Sequence, residues 1–170
     1  IHNYAKALGR EGEWQSAFKQ VERAIKIRPE DTDILVTKGF IEFKLDQLEA
    51  ADHTFKEILK SHPQHYEAMY FRGFTNLKQK KFEIGWELFD HRWNSPSFLS
   101  KRYNFETEEW NGSSGGEKLL IWDEQGPGDQ IMCSLFFNKP LGNFKEIIIL
   151  CDPRLQGMFS RCFDKNITFL

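Results

Sequence analysis

The sequence predicts a mostly helical chain in which stacked helical hairpins over residues 1–97 are followed by a parallel α/β segment over residues 117–170. Two observations predict this division. Small and large apolar residues recur with a period of about 34 residues as far as Pro96, with the spacing of amphipathic helices. Beyond a connector at residues 98–116, short apolar strands alternate with helical stretches, which is the pattern of a parallel sheet.

An internal repeat organises the first segment. The residues that share its spacing form two columns of small side chains and one of larger ones: Ala5, Gly39 and Gly73; Ala17, Ala51 and Gly85; Val21, Phe55 and Phe89. Two helices of a hairpin approach closely only where small side chains face each other, and larger residues then fill the space to the next hairpin. The period resembles that of the tetratricopeptide repeat, which implies about three hairpins, the first of them truncated.

The ends of these helices have their own signals. Asp31 or Thr32 is a plausible N-cap after Pro29, because short polar side chains accept hydrogen bonds from the first free amides of a helix. Turns at Gly12 and Asp46 separate the two helices of the first and second hairpins.

The resemblance to tetratricopeptide proteins implies that the first helix of each hairpin lines a concave groove for a protein or peptide ligand. The predicted groove residues form three columns at the repeat spacing, the third of them basic in every repeat: His2, Val36 and Tyr70; Lys6, Phe40 and Phe74; Arg10, Lys44 and Lys78. Positive charge beside aromatic rings favours acidic and aromatic peptides. Packing under a neighbouring segment remains the alternative for Phe40 and Phe74, and a solvated face the alternative for the basic column.

The second segment reads as strand, helix, strand, helix, strand of the Rossmann type. The predicted strands are Leu119–Trp122, Glu146–Cys151 and Ile167–Leu170, and the predicted helices run from Asp129 to Phe137 and from Pro153 toward Phe163, with Asp152 as N-cap. The connector carries Phe98, Tyr103, Phe105 and Trp110, too many aromatic residues for a free linker. We expect it to pack along the last hairpin.

Three stretches resemble a known class of bacterial protein: Gly85–Trp93, Trp110–Gly112 and Leu119–Asp129. This class joins tetratricopeptide repeats to a glycosyltransferase domain that is similar to the family 9 heptosyltransferases and, more distantly, to the protein O-GlcNAc transferases. The resemblance implies the N-terminal half of a GT-B fold, in which two Rossmann-like halves face a cleft. It also implies a fragment that is inactive alone, with a sugar nucleotide as donor substrate of the full-length protein and with no cofactor.

The loop between the first strand and the next helix is the candidate chemical site. Gln125, Gly126 and Gly128 leave backbone amides open to an oxygen-rich ligand. Ile131 stands where a dinucleotide fingerprint needs its third glycine, so nicotinamide or flavin binding is not expected. The resemblance makes Asp129 the general base that accepts a proton from the acceptor hydroxyl. The alternative is that Asp129 caps the helix.

Composition bounds the remaining possibilities. With 40% hydrophobic residues and a net charge of −2, a nucleic-acid partner is not expected. No apolar run approaches the roughly 18 residues that span a bilayer. Cys133, Cys151 and Cys162 are odd in number and lack C-x-x-C spacing, which favours buried free thiols in a reducing, cytoplasmic setting. No metal site is predicted.

Three functions therefore remain open. The first is an interaction scaffold built on the helical repeats and inactive as an enzyme. The second is the acceptor-binding part of an inverting sugar transferase, acting on a protein or saccharide, with Asp129 as the base. The third is assembly by self-association of stacked repeats.

Overall fold

The computed structural model of the protein describes residues 1–100, 102–112, 115–137, 144–163 and 167–170. The chain divides into two compact units, Ile1–Leu99 and Ser100–Leu170. The first is helical and the second is α/β. We refer to them as the helical unit and the α/β unit and describe each by itself.

The helical unit consists of helices that each pack against the preceding one. In chain order they are α1 (His2–Arg10), α2 (Trp14–Ile27), α3 (Thr32–Lys44), α4 (Leu48–Ser61), α5 (Tyr66–Lys78) and α6 (Phe82–Phe89), followed by a 3₁₀ turn at Asp90–Asn94. Two clusters of buried apolar side chains form its core, one around Val21 and one around Phe55. Burial of these side chains is the main force that holds the hairpins together.

The turn inside each hairpin is the same at every repeat. Gly12, Asp46 and Lys80, which occupy the same position in successive repeats, have φ angles of 82°, 62° and 61°. In all three turns the next amide donates to the carbonyl five residues earlier, at 2.9 Å. This is the Schellman arrangement, in which a left-handed residue ends a helix and satisfies its last carbonyls. Successive repeats therefore build the same local structure.

The start of the first helix also repeats. The Asp31 carboxylate accepts from the Ile34 amide at 3.1 Å and caps α3. One repeat later, His65 Nδ1 accepts from the Ala68 amide at 3.3 Å and caps α5. The N-cap of α3 is thus Asp31, and Thr32 is the first helical residue.

The small residues lie where helices meet closely, as their spacing predicts. A methyl group on Gly39 would stand 2.7 Å from the Phe55 ring, and one on Gly73 would stand 2.6 Å from the backbone nitrogen of Phe89. A methyl group on Gly85 would stand 2.8 Å from the Leu77 side chain. These distances are shorter than carbon contacts allow, so glycine sets the separation of α3 from α4 and of α5 from α6.

The α/β unit contains a three-stranded parallel sheet among its described residues, in the order β1-β2-β3. Its elements are β1 (Gly116–Ile121), α7 (Pro127–Cys133) with a 3₁₀ turn at Ser134–Phe136, β2 (Phe144–Ile149), α8 (Pro153–Cys162) and β3 (Ile167–Phe169). The predicted order of strands and helices is confirmed, with boundaries shifted by a few residues. Parallel pairing follows from the helical crossovers, which return the chain to the same edge of the sheet.

One face of this sheet carries the core of the α/β unit. Leu119, Ile147 and Ile167 lie opposite one another on β1, β2 and β3. They pack in one buried cluster with Leu155 and Phe159 of α8. The side chain of Leu120, which points to the opposite face, is 37% exposed. This alternation is the period-two pattern of strands that are covered on one side.

The connector does not pack as predicted. Phe98 contacts Tyr70 and Trp93 in the helical unit, as expected. Two later connector aromatics contact rings of the α/β unit instead, Tyr103 with Trp122 and Trp110 with Phe144. The expectation that the whole connector lies along the last hairpin is therefore wrong beyond Phe98.

Two further predictions concern thiols and membrane spans. The cysteines are free, but Cys133 and Cys162 are exposed, so the predicted burial is wrong for both. Within the described ranges, no helix has the length and apolarity needed to cross a bilayer.

Candidate functional site

A cavity of about 600 Å³ lies in the helical unit between α1, α3 and α5, and we call it the groove. The residues that line it are Ala5, Lys6, Gly9, Arg10, Trp14, Asp33, Val36, Thr37, Phe40, Ile41, Lys44, Glu67, Phe71 and Ser97. Most of them come from the first helix of each hairpin. The short turn inside each hairpin keeps these first helices on one side of the stack.

Aromatic rings form one wall of the groove. The Phe40 ring lies 5.0 Å from Phe71 and 6.0 Å from Trp14, the latter at an interplanar angle of 74°. Lys44 Nζ stands 5.3 Å from the centre of the Phe40 ring and 5.7 Å from that of Trp14. These distances suit cation–π attraction, which holds the ammonium group over the rings.

The groove is lined by both positive and negative side chains, and some of the positive ones lack an ion-pair partner among the described residues. Lys6 and Arg10 lie exposed on α1, and within the part of the chain that the structure describes neither has a carboxylate at ion-pairing distance. Of the two carboxylates that line the groove, Glu67 accepts a hydrogen bond from Ser97 Oγ. The side of the groove formed by α1 and the end of α3 is therefore positively charged.

A histidine joins α1 to α3 beside the groove. Thr37 Oγ1 donates to the Asp33 carbonyl at 2.8 Å, so its oxygen accepts from His2 Nε2, also at 2.8 Å. Burial, together with the nearby charge of Lys6, lowers the pKa of His2 below its ordinary value. The lowered pKa favours the neutral ring, and the contact with Thr37 Oγ1 suits a proton on Nε2.

Only some of the predicted groove residues line the groove in the structure. The predicted residues that line it are Lys6, Arg10, Val36, Phe40 and Lys44, whereas His2, Tyr70, Phe74 and Lys78 are not among its lining residues. Tyr70 is 7% exposed and packs against Phe74, Phe89 and Phe98. Lys78 Nζ pairs with Asp46 at 2.7 Å. For Tyr70 and Phe74, packing is thus what the structure shows.

Trp14 and Phe71 are among the groove residues that the sequence did not single out. Trp14 belongs to the apolar stripe of α2, which reads as core. Phe71 lies one position after Tyr70, in the column of Thr37. The repeat spacing shows which residues share a column, but the rotation of the helix decides which column faces the groove.

The second candidate site is the loop that follows β1. Gln125, Gly126, Gly128 and Asp129 lie at the carboxyl end of the strand, with Gln125 and both glycines exposed. Gly126 is the N-cap of α7, with a φ angle of −69°, so its backbone does not require glycine. A methyl group on Gly128 would meet nothing within 4 Å. The glycines therefore leave bare, accessible backbone at this edge of the sheet.

Asp129 lies in the first turn of α7 rather than at its cap. Its amide donates to the Gly126 carbonyl at 3.0 Å, and Gly126 holds the N-cap position. The N-cap alternative for Asp129 is therefore wrong. Among the described residues, no hydrogen bond or ion pair engages its exposed carboxylate.

Gln130 joins the two loops at the carboxyl edge of the sheet, and the sequence did not single it out. Its Nε2 donates to Asp123 Oδ2 at 3.2 Å and to the Gln125 carbonyl at 3.3 Å. Its Oε1 accepts from the Asp152 amide at 2.8 Å, in the loop after β2. One side chain thus fixes the loop that precedes Asp129.

At this edge of the sheet, the largest change of a pKa comes from the pair formed by Asp152 and Arg154. Hydrogen bonds from Arg154 lower the pKa of Asp152 to about 2. Burial raises the pKa of the Cys151 thiol. Among the described residues, no three side chains of the kinds that bind metals are grouped as they would be around an ion.

No protein-family model matches the chain. The chain is similar to the protein FlbA of Caulobacter vibrioides, with 24% identity over 151 residues. The match covers 85% of this chain but 25% of FlbA, so the chain spans about a quarter of the length of that relative.

Proposed function

We propose that the helical unit is a peptide-binding module of the tetratricopeptide type and that its groove binds an extended segment carrying acidic and aromatic side chains. The observation that carries the proposal is the combination of aromatic rings and cations along the groove, with Lys44 held over Phe40 and Trp14. The common hairpin turn at Gly12, Asp46 and Lys80 supports the repeat class.

The size of the groove suits a short stretch of peptide. Its volume of about 600 Å³ lies within the range of roughly 300–1,000 Å³ that is typical of ligand pockets. An extended peptide presents alternate side chains to one side, so two or three of them can enter the groove while the others remain in solvent.

The chemistry of the groove favours a particular pair of side chains. A ligand ring can stack in the space beside Phe40 and Phe71, where it removes further apolar surface from water. A ligand carboxylate next to it can pair with Arg10 or Lys44, which stand on the same side. Asp33, on the other side, disfavours a uniformly acidic ligand, so the acidic groups must be interspersed with rings.

The test is the binding of short fluorescent peptides measured by anisotropy. We expect a peptide that alternates Glu and Phe to bind more tightly than matched peptides in which Glu is replaced by Gln or by Lys, and salt to weaken its binding. Lys44→Glu combined with Arg10→Glu should weaken binding at least about tenfold. Lys19→Glu combined with Lys26→Glu, two exposed substitutions outside the groove, is the charge-matched control.

Two results would contradict this function. One is equal binding of the Glu, Gln and Lys peptides at low salt. The other is an equal loss of binding in the Lys19→Glu, Lys26→Glu control and in the groove variant, since only a general charge effect would then be measured.

A second candidate function concerns the α/β unit. We infer that it serves as the acceptor half of an inverting sugar transferase, with Asp129 as general base and a sugar nucleotide as donor substrate. The specific support is an exposed, unengaged carboxylate beside the bare backbone of Gly126 and Gly128, at the carboxyl edge of a parallel sheet. Ligands of open α/β sheets bind at this edge.

Substitution in the full-length protein tests this second function. Asp129→Asn removes the titratable group but keeps its shape, so sugar transfer should fall by on the order of 100-fold while acceptor affinity is nearly unchanged. Glu117→Gln, which changes an exposed carboxylate on β1, is the control and should leave transfer unchanged. Near wild-type turnover in Asp129→Asn would show that another group is the base.

A further inference from the structure

The groove carries charges of opposite sign at its two edges. Asp33 and Glu67, in the first turns of α3 and α5, line one edge, which we call the acidic edge. Arg10 and Lys44, in the last turns of α1 and α3, line the other, which we call the basic edge. Lys6, in the middle of α1, belongs to neither edge. The groove is therefore electrically polar across the length of these helices.

Two contacts show that the first helices of the hairpins lie side by side in the same direction. His2 of α1 bonds to Thr37 of α3, and Phe40 of α3 packs on Phe71 of α5. In both contacts the partners are about one repeat apart in sequence. Equivalent positions of successive repeats therefore stand beside each other, which brings the first turns together at one edge and the last turns together at the other.

The charges of α3 are open to a ligand. The carboxylate of Asp33 is exposed, and among the described residues no hydrogen bond or ion pair engages it. Lys44 is exposed as well, and its ammonium group rests over the rings of Phe40 and Trp14. An acidic first turn and a basic last turn both complement the helix dipole, which stabilises each charge at its own end of α3.

The third repeat shows what the cation at the basic edge binds when a carboxylate is within reach. Lys78 holds the position of Lys44 one repeat later, and its Nζ pairs with Asp46 at 2.7 Å. The residue that corresponds to Asp46 one repeat earlier is Gly12, which has no side chain. Lys44 therefore lacks the partner that its counterpart has, and a ligand carboxylate can take that place.

The length of α3 sets the spacing of the charges that a ligand must carry. Asp33 and Lys44 stand near opposite ends of the helix, about 16 Å apart along its axis. Since Lys44 Nζ reaches back over Phe40, the two charges are roughly 10–16 Å apart. In an extended peptide, side chains two residues apart point to the same side, and four residues span about 13 Å.

We propose that the groove selects a segment of another polypeptide in which a cationic side chain, an aromatic ring and a carboxylate alternate at positions i, i+2 and i+4. The cation pairs with Asp33, the ring stacks beside Phe40 and Phe71, and the carboxylate pairs with Lys44. This inference rests on the proposed function and deepens it, because it adds a cation to the ligand and fixes the spacing of all three groups. The spacing holds for either direction of the bound chain.

Fluorescence anisotropy on the full chain tests the spacing with three labelled peptides that differ only in a central stretch of five residues. The first stretch is Lys-Ser-Phe-Ser-Glu, the second rearranges it to Ser-Lys-Phe-Glu-Ser, and the third is Glu-Ser-Phe-Ser-Glu. We expect the first to bind at least about fivefold more tightly than the second, whose charges point away from the groove when the ring enters it. It should also bind more tightly than the third, whose additional carboxylate faces Asp33.

Charge exchange at the acidic edge identifies the contact. Asp33→Lys should weaken binding of Lys-Ser-Phe-Ser-Glu and strengthen binding of Glu-Ser-Phe-Ser-Glu, so that the preference between them reverses. Asp33→Asn, which keeps the size of the side chain, should reduce the preference without reversing it, and it replaces Asp33→Lys if circular dichroism shows that the latter is unfolded. Glu22→Lys makes the same change of charge at an exposed position of α2 outside the groove and should leave the preference unchanged.

Three results would overturn the inference. They are equal binding of the first two peptides, an unchanged preference in the folded Asp33 variants, and an equal change of preference in Glu22→Lys. If Glu-Ser-Phe-Ser-Glu still binds in these cases and the Lys44→Glu, Arg10→Glu variant weakens it, the proposed function stands without the inference. If none of the three peptides binds, the proposed function is itself wrong and the inference falls with it.

Discussion

At the residue scale, the contact between the second and third hairpins centres on one carboxylate. Asp52 Oδ1 on α4 accepts from Arg72 Nε at 2.8 Å and from Asn76 Nδ2 at 2.7 Å, both on α5. Burial by itself would raise the pKa of Asp52, but the hydrogen bonds from Asn76 and Arg72 outweigh it and hold the pKa below its ordinary value. Asn76 is 2% exposed, so its amide depends on this partner and on the Arg72 carbonyl.

We expect Asp52→Ala to destabilise the helical unit by about 2 kcal/mol, because charged hydrogen bonds are lost and a buried amide loses a partner. Glu57→Ala, which removes the exposed pair with Lys60 on the same helix, should leave the stability nearly unchanged. Urea denaturation followed by circular dichroism measures both.

The stabilising contribution of Asp52 should also depend on pH. The folded state keeps Asp52 ionised to lower pH than the unfolded state does, so its contribution is complete above about pH 4. It is lost as the pH falls through the lowered folded pKa. The stability difference between wild type and Asp52→Ala should therefore shrink below about pH 4, and a difference that grows on acidification would contradict the assignment.

Residue-level prediction from the sequence succeeded where the cause is local. Asp31 was one of two N-cap candidates because the cap depends on its immediate neighbours, and it does cap α3. The cap alternative for Asp129 was wrong because Gly126, three residues earlier, is the N-cap and α7 begins at Pro127. Gln130 was missed because its role depends on the loop after β2, which is distant in sequence.

At the element scale, the hairpin turns show what the repeat demands of single positions. Lys80 has the same left-handed backbone as Gly12, although a side chain with a Cβ is strained there. We expect Lys80→Gly to stabilise the helical unit by roughly 1 kcal/mol, and Gly12→Ala to destabilise it by a similar amount. Thermal melts of the two variants should shift in opposite directions, and a shift in the same direction would mean that the turns differ.

The packing of α5 on α6 leaves no room for a methyl group. At Gly73 the added carbon would stand 2.6 Å from backbone nitrogen, which cannot move without the helix, whereas at Gly9 it would stand 3.0 Å from the edge of the Trp14 ring. Gly73→Ala should therefore cost about 2–3 kcal/mol or more, and Gly9→Ala clearly less. Equal costs in denaturant titrations would show that the helices separate freely.

Element order was predictable because periodicity and strand length are encoded locally, whereas packing partners were not. The repeat spacing identified the glycines at the close helix contacts. It could not assign Tyr103 and Trp110 to the α/β unit, since their contacts with Trp122 and Phe144 depend on how the connector folds back. Composition alone shows only that such aromatic residues need a surface to cover.

At the scale of the whole molecule, the two units have separate cores. The buried cluster around Phe55 and Ile58 belongs to the helical unit, and the cluster around Ile147 and Phe159 belongs to the α/β unit. These clusters share no residues. A cavity in one core should therefore act on the stability of its own unit.

The matched pair Ile58→Val and Ile147→Val tests this independence, because both isoleucines are 1% exposed and lose the same methyl group. Each change should cost about 1 kcal/mol in its own unit. By the linkage between opening and exchange, that is roughly a fivefold rise in the exchange rate of the most protected amides. Hydrogen exchange read by mass spectrometry resolves the units separately: Ile58→Val should accelerate exchange in α3, α4 and α5 and leave β1, β2 and β3 unchanged, and Ile147→Val should do the reverse. Acceleration across both units by either variant would show that they unfold together as a single cooperative structure.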